Sequence, residues 1–154
     1  MRTLVLDTNA VLDALLFGNP RMDAALAALT RGELVWRATR AMREELSHVI
    51  KRSALHRYSP DCERILTEFD RRTTLIESAC VVGSPLLRCR DADDQVFVDL
   101  AFHLRPATLL TSDRDLLALA RRGRPFDVAI LPPARFSSAT ACAPGATGRT
   151  DSRC

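Results

Sequence analysis

Short runs of strand-forming residues alternate with segments of helical periodicity along most of this chain, and few folds accommodate that order. Thr3 to Leu6 is a compact apolar run stopped by Asp7, as expected of a buried strand bounded by a polar turn. Ala10 to Phe17 has helical apolar spacing, and Asn19 followed by Pro20 opens a second helix that closes near Gly32. Leu34 to Arg37 reads as a second strand. Thr39 caps a third helix reaching about Arg52, and Ser59-Pro60 opens a fourth, with Asp61 and Glu63 in the first turn where the helix dipole favours acids. Thr74 to Val82 is β-branched enough for a strand and is broken by Gly83-Ser84-Pro85, after which Leu86 to Arg90 shows no period. Asp91 and Asp94 then stand before Val96, Phe97, Leu100, Ala101 and Leu104, a helical spacing. Ala107 to Thr111 is another buried strand, Asp113 to Arg121 a helix, Gly123 to Pro125 a turn, and Asp127 to Leu131 a last strand.

Such alternation predicts an α/β protein of three layers, α/β/α, with a mainly parallel sheet of about four to five strands between the helices. In sheets of this kind ligands bind beyond the carboxyl ends of the strands. The length of 154 residues suits one domain, expected over residues 1–136. From Ser137 onward the chain is mostly Ala, Thr, Ser, Gly and Arg, so residues 137–154 are expected to form a disordered tail.

Composition removes several classes of function. Hydrophobic residues at 47% and charged residues at 27% fit a globular protein, and no apolar run approaches the roughly 20 residues of a spanning helix. The opening segment turns polar at Asp7 and does not read as a signal peptide, so a cytoplasmic protein is expected. Five scattered cysteines form no CxxC pair, and His48, His56 and His103 lack ligand spacing, which sets zinc aside. The net charge of +3 is modest, but of 22 basic residues only Lys51 is lysine. Arginine is the side chain whose planar fork grips phosphate, and a biased genome explains the same excess equally well.

The acids carry the chemical signal. Asp7 follows one strand directly and Asp113 lies two residues after another, so parallel topology places them side by side. In the third helix, with about 100° per residue, Glu45 borders the apolar face of Met42, Leu46, Val49 and Ile50 while Glu44 points nearly opposite. In the later helix the same construction puts Asp93 under the apolar face, Asp94 on its margin and Asp91 away from it, and it does not choose between Asp93 and Asp94. Taken singly, Asp91 and Asp94 read better as caps and Glu44 and Glu45 as a solvated face. Taken together, four carboxylates in one cleft stay ionised only beside a cation. An all-oxygen donor set suits Mg²⁺ or Mn²⁺, and phosphodiester hydrolysis is the matching reaction class.

Four segments resemble, in order, the motifs of the PIN-domain ribonucleases found as toxins of bacterial toxin–antitoxin pairs. Asp7-Thr8-Asn9 looks like the family's opening signature, Glu44-Glu45-Leu46 like its Glu-Leu helix, Arg90-Asp91-Ala92-Asp93-Asp94 with Phe97 and Ala101 like its Asp-rich helix start, and Thr111-Ser112-Asp113-Arg114-Asp115-Leu116 like its Thr-x-Asp-x-Asp-Leu block. The resemblance runs from Met1 to about Pro132. It implies a metal-binding catalytic quartet of Asp7, Glu45, Asp94 and Asp113, the spacing to Ala101 selecting Asp94 over Asp93. It further implies that Asn9 and Thr111 orient Asp7 and its loop, that Asp115 contributes less, and that the partners are RNA, a cognate antitoxin and a second copy of the chain. Arg37, Arg40 and Arg114 are the expected substrate-holding arginines.

Two other readings use the same residues. A haloacid-dehalogenase-like phosphatase would employ Asp7 as a nucleophile, but it calls for a late lysine and an acid two residues on, where this chain has Asn9 and, as its only lysine, Lys51. A non-catalytic RNA- or partner-binding module would keep the acids for a structural ion.

Overall fold

The computed structural model describes residues 1–137, so the tail expected over residues 137–154 lies, but for Ser137, outside the described residues. Strands β1 (Arg2–Leu6), β2 (Leu34–Thr39), β3 (Thr73–Ile76), β4 (Ala107–Leu110) and β5 (Val128–Leu131) form one sheet in the order β3-β2-β1-β4-β5. Every neighbouring pair is parallel. Parallel neighbours need crossovers. Helices α1 (Thr8–Leu15) and α2 (Asp23–Thr30) fill the first, α3 (Arg40–Val49) and α4 (Cys62–Arg72) the second, α5 (Gln95–His103) the return to β4, and the short α6 (Arg114–Leu117) and α7 (Ala120–Gly123) the last. Helices α1, α3 and α4 pack on one another, whereas α5 lies on β1 and β4 and α6 and α7 on β5. Right-handed crossovers place those two groups on opposite faces, which completes the expected α/β/α sandwich.

Burial follows from this layering. The central strands carry apolar side chains toward both faces, with Leu4, Val5, Leu6, Ala107, Leu109 and Leu110 all buried. At the edge, β5 alternates buried Val128 and Ile130 with half-buried Ala129 and Leu131. Trp36 of β2 meets Phe69 of α4 edge to face, ring centroids 5.3 Å apart, and ties that helix to the sheet. No helix among the described residues is long and apolar enough to cross a membrane.

Several boundaries differ from the sequence expectation for local reasons. The third strand stops at Ile76 because β2, its only neighbour among the described residues, ends at Thr39 opposite it and turns into α3, and Ser78–Cys80 forms a 3-10 turn instead of continuing to Val82. Helix α1 starts at Thr8, since Asp7 is itself the cap. The segment behind Asn19 is a 3-10 turn, Pro20–Met22, before α2 begins, and Gly32 closes that unit with φ 74°. The cap of α4 is Asp61, which accepts from the Arg64 N–H at 2.9 Å. Helix α3 ends at Val49 rather than Arg52, and the single helix expected over Asp113 to Arg121 is divided into α6 and α7.

Candidate active site

The sheet reverses its order between β1 and β4. One crossover leads away to β2 and the other to β5, so a crevice opens at the carboxyl ends of these two strands. Their register pairs Leu6 with Leu110, which brings the next residues, Asp7 and Thr111, together. The Thr111 hydroxyl donates to Asp7 Oδ2 and accepts from the Asp113 N–H at 2.9 Å. Asp7 Oδ1 accepts from the Ala10 N–H at 2.7 Å and caps α1, while Asp113 Oδ1 accepts from the N–H groups of Asp115 and Leu116 at 2.8 and 3.1 Å and caps α6. Both aspartates are therefore held by backbone and by one buried threonine, and each retains oxygen lone pairs for another partner. Asp7 is only 4% exposed. Burial pushes its pKa up, the bonds from Thr111 and Ala10 pull it down, and Asp113 and Asp13 push it up again, leaving it raised.

Asp94 joins them from the start of α5. It occupies the cap position of that helix but its side chain makes no capping bond, so the capping role expected for it is not the one it plays. Its pKa is pushed up to about 6, first by burial and then by Asp113, Asp91, Asp7 and Asp93. Asp93 is exposed and Asp94 half-buried, the difference that helical geometry alone left undecided. The approach to α5 is pinned by Gln95, whose Oε1 accepts from the Cys89 N–H at 2.7 Å and whose Nε2 donates to the Leu87 carbonyl and to Asp99 Oδ1, both at 2.8 Å. Gly83 presses on the same Asp99. A Cβ at that position would stand 2.1 Å from Asp99 Oδ1, so any larger residue there would have to push the Asp99 side chain aside.

Glu45 stands apart from the three aspartates. It is exposed on α3, paired with Arg52 at 3.4 Å, and is not among the charges that raise Asp7 or Asp94. It does share with Asp93 and Asp94 a cleft of about 480 Å³ whose lining also includes Thr8, Met42, Arg52 and Phe97. Asn9 is exposed and has no hydrogen bond to Asp7, so among the described residues Thr111 alone of the two makes that contact. Asp115 is half-buried beside the cluster and acts with Asp94 and Asp113 on Cys89, whose thiol is pushed up mainly by burial. Arg40 is engaged by Glu77 at 3.2 Å. The phosphatase reading still lacks its late lysine, since Lys51, the chain's only one, is exposed beyond the end of α3.

A family model described as PIN domain matches residues 3–115, close to three quarters of the chain and inclusive of Asp7, Glu45, Asp94 and Asp113. The chain belongs to the PIN-domain family. PIN domains are generally nucleases and generally use divalent metal ions. No curated protein and no solved structure matches this chain.

Two further residues of this PIN domain were missed from its sequence. Arg52 lies seven residues beyond Glu45 and three past the end of α3 at Val49, where no helical period or motif marks it. Asp13 sits two turns into the chain after Asp7 and adds to the charge on it, a neighbour that no motif marks. As to a metal ion, among the described residues no group of three or more His, Cys, Asp or Glu side chains stands ready to hold one. The donor set still fits a hard divalent cation. Mg²⁺ keeps several waters and takes one or two carboxylates plus substrate phosphate rather than an all-protein cage, and Asp7, Asp94 and Asp113 present oxygen alone at mutually unfavourable charge.

Proposed function

We propose that this chain is a divalent-metal-dependent endoribonuclease and the toxin of a toxin–antitoxin pair. The observation that carries the reading is the nearness of Asp7, Asp94 and Asp113 at the sheet's order reversal, where Asp113 raises the cost of ionising Asp7, and Asp113 and Asp7 together raise that of Asp94. Carboxylates arranged against their own repulsion are stabilised by a cation, and family membership makes RNA the substrate class to test. Glu45 is the fourth member, reached across the shared cleft from α3.

Bound among these acids, Mg²⁺ or Mn²⁺ would supply Lewis-acid stabilisation of charge developing on a phosphodiester. The chain's own residues do the rest. Thr111 fixes the orientation of Asp7, the first-turn amides of α6 fix Asp113, and the Gln95 clamp fixes the turn that carries Asp94. Asp93 and Asp115 add negative charge at the margin. Asn9 is exposed two residues after Asp7, and in this reading it meets substrate rather than the carboxylate. A cognate antitoxin, a second copy of the chain and a cytoplasmic location belong to the same reading.

Purified protein incubated with labelled RNA in Mg²⁺, in Mn²⁺ and in chelator, beside the Asp7→Asn variant, tests the proposal. Cutting that needs metal and disappears in the variant is the expected result. RNA retained without cleavage in every lane would instead mean a binding module.

A further inference from the structure

One basic side chain opens into the acidic cleft. Arg52 lines it together with Glu45, Asp93 and Asp94, and its Nη2 lies 3.4 Å from Glu45 Oε1. Two other arginines of the same helix region are committed elsewhere, Arg40 to Glu77 and Arg43 to Asp70. The Arg52–Glu45 pair is weak by construction. Its side chains are 62% and 52% exposed, the separation is long for a charge-assisted bond, and no second hydrogen bond supports it. A divalent cation, with twice the charge, displaces such a partner readily.

We propose that Arg52 is a substrate-binding residue held in reserve on Glu45: a cation that takes up the Glu45 carboxylate releases the guanidinium, which then grips a non-bridging oxygen of the RNA backbone beside the acids. This inference rests on the metal-dependent ribonuclease reading of the cleft. It assigns Arg52 two effects of opposite sign, since one guanidinium competes with the metal for a carboxylate and cooperates with it in holding phosphate. A purely structural arginine has no reason to produce both. Among the described residues its side chain makes no other hydrogen bond, and the backbone bond from the Leu55 N–H to the Arg52 carbonyl survives substitution.

The test measures Mn²⁺ binding by calorimetry and binding of a short labelled single-stranded RNA by anisotropy with Ca²⁺ present, on the full chain. Arg52→Ala is expected to tighten Mn²⁺ binding about two- to fivefold, the size of an exposed ion pair. The same variant is expected to weaken RNA binding about tenfold, the size of a charge-assisted hydrogen bond. Arg52→Lys, which keeps the charge and loses the fork, should return Mn²⁺ affinity to the parent value and recover RNA binding only in part. Unchanged or weakened Mn²⁺ binding in Arg52→Ala, or unchanged RNA binding, overturns the role of Arg52 while leaving the acids' role standing. If Asp94→Asn binds Mn²⁺ as tightly as the parent, the metal reading itself fails and takes Arg52's role with it.

Discussion

Asp7 is buried and its pKa is raised, so without metal its ionised form works against the fold. Asp7→Asn removes that charge while its amide oxygen can still accept from the Ala10 N–H and its amide nitrogen can donate to Thr111. The variant is expected to melt higher than the parent in chelator and to lose RNA cleavage by about a hundredfold or more, a divergence that thermal melts and initial rates measure together. Asp94 adds a pH dependence. With its pKa at about 6 against an ordinary 3.8, the folded chain holds a proton that the unfolded chain has already released, so metal-free stability falls as pH rises between those values and stays lowered above them. Melts of the parent in chelator across that window should decline with rising pH, and Asp94→Asn should flatten the decline. Asp7 and Asp113 were legible as candidates from their places after strands and Glu45 from its helix margin, whereas geometry left Asp93 and Asp94 open and only the family resemblance chose Asp94. The arrangement of Arg52 was not legible, because a pair between two exposed side chains leaves no trace in hydrophobic periodicity.

Helix α5 and the loop before it act as one element through Gln95. Gln95→Leu strands the Cys89 N–H and the Leu87 carbonyl, both part-buried, and is expected to destabilise the protein by about 1–3 kcal/mol. Hydrogen exchange at the Cys89 amide should accelerate in that variant, and Mn²⁺ affinity should fall as the Asp94 turn loosens. A normally protected Cys89 amide would remove the clamp from the account. On the other side of the sheet, Trp36→Ala opens a cavity against Phe69 and should cost about 3–5 kcal/mol in urea unfolding followed by circular dichroism. Element types were legible wherever one period ran unbroken, as in β1, α3 and β4. They were not legible over Val82 to Cys89, where the chain is placed by side-chain bonds to α5 and by Gly83 against Asp99 rather than by any repeating pattern. The end of β3 was equally hidden, because it depends on where the neighbouring strand stops.

At the scale of the whole molecule, alternation of strand and helix in the sequence leads to a parallel sandwich, and the position of Asp7 and Asp113 after their strands leads to their meeting. The order of strands was not readable, since it depends on which neighbour β4 chooses after a crossover of some 30 residues, and nothing local encodes that choice. A fragment ending at Leu104 lacks both β4 and β5 and leaves β1 with one bare edge. It is expected to show no cooperative urea transition in the fluorescence of Trp36, the chain's only tryptophan, whereas a sigmoidal transition would mean that β1 to α5 fold by themselves.

The hydroxyl that steadies Asp7 comes from a threonine 104 positions later. During translation that aspartate leaves the ribosome 104 residues ahead of its partner. Until that threonine follows, the carboxylate lacks the hydroxyl that aims it, so a chain still being made carries this acid unaimed.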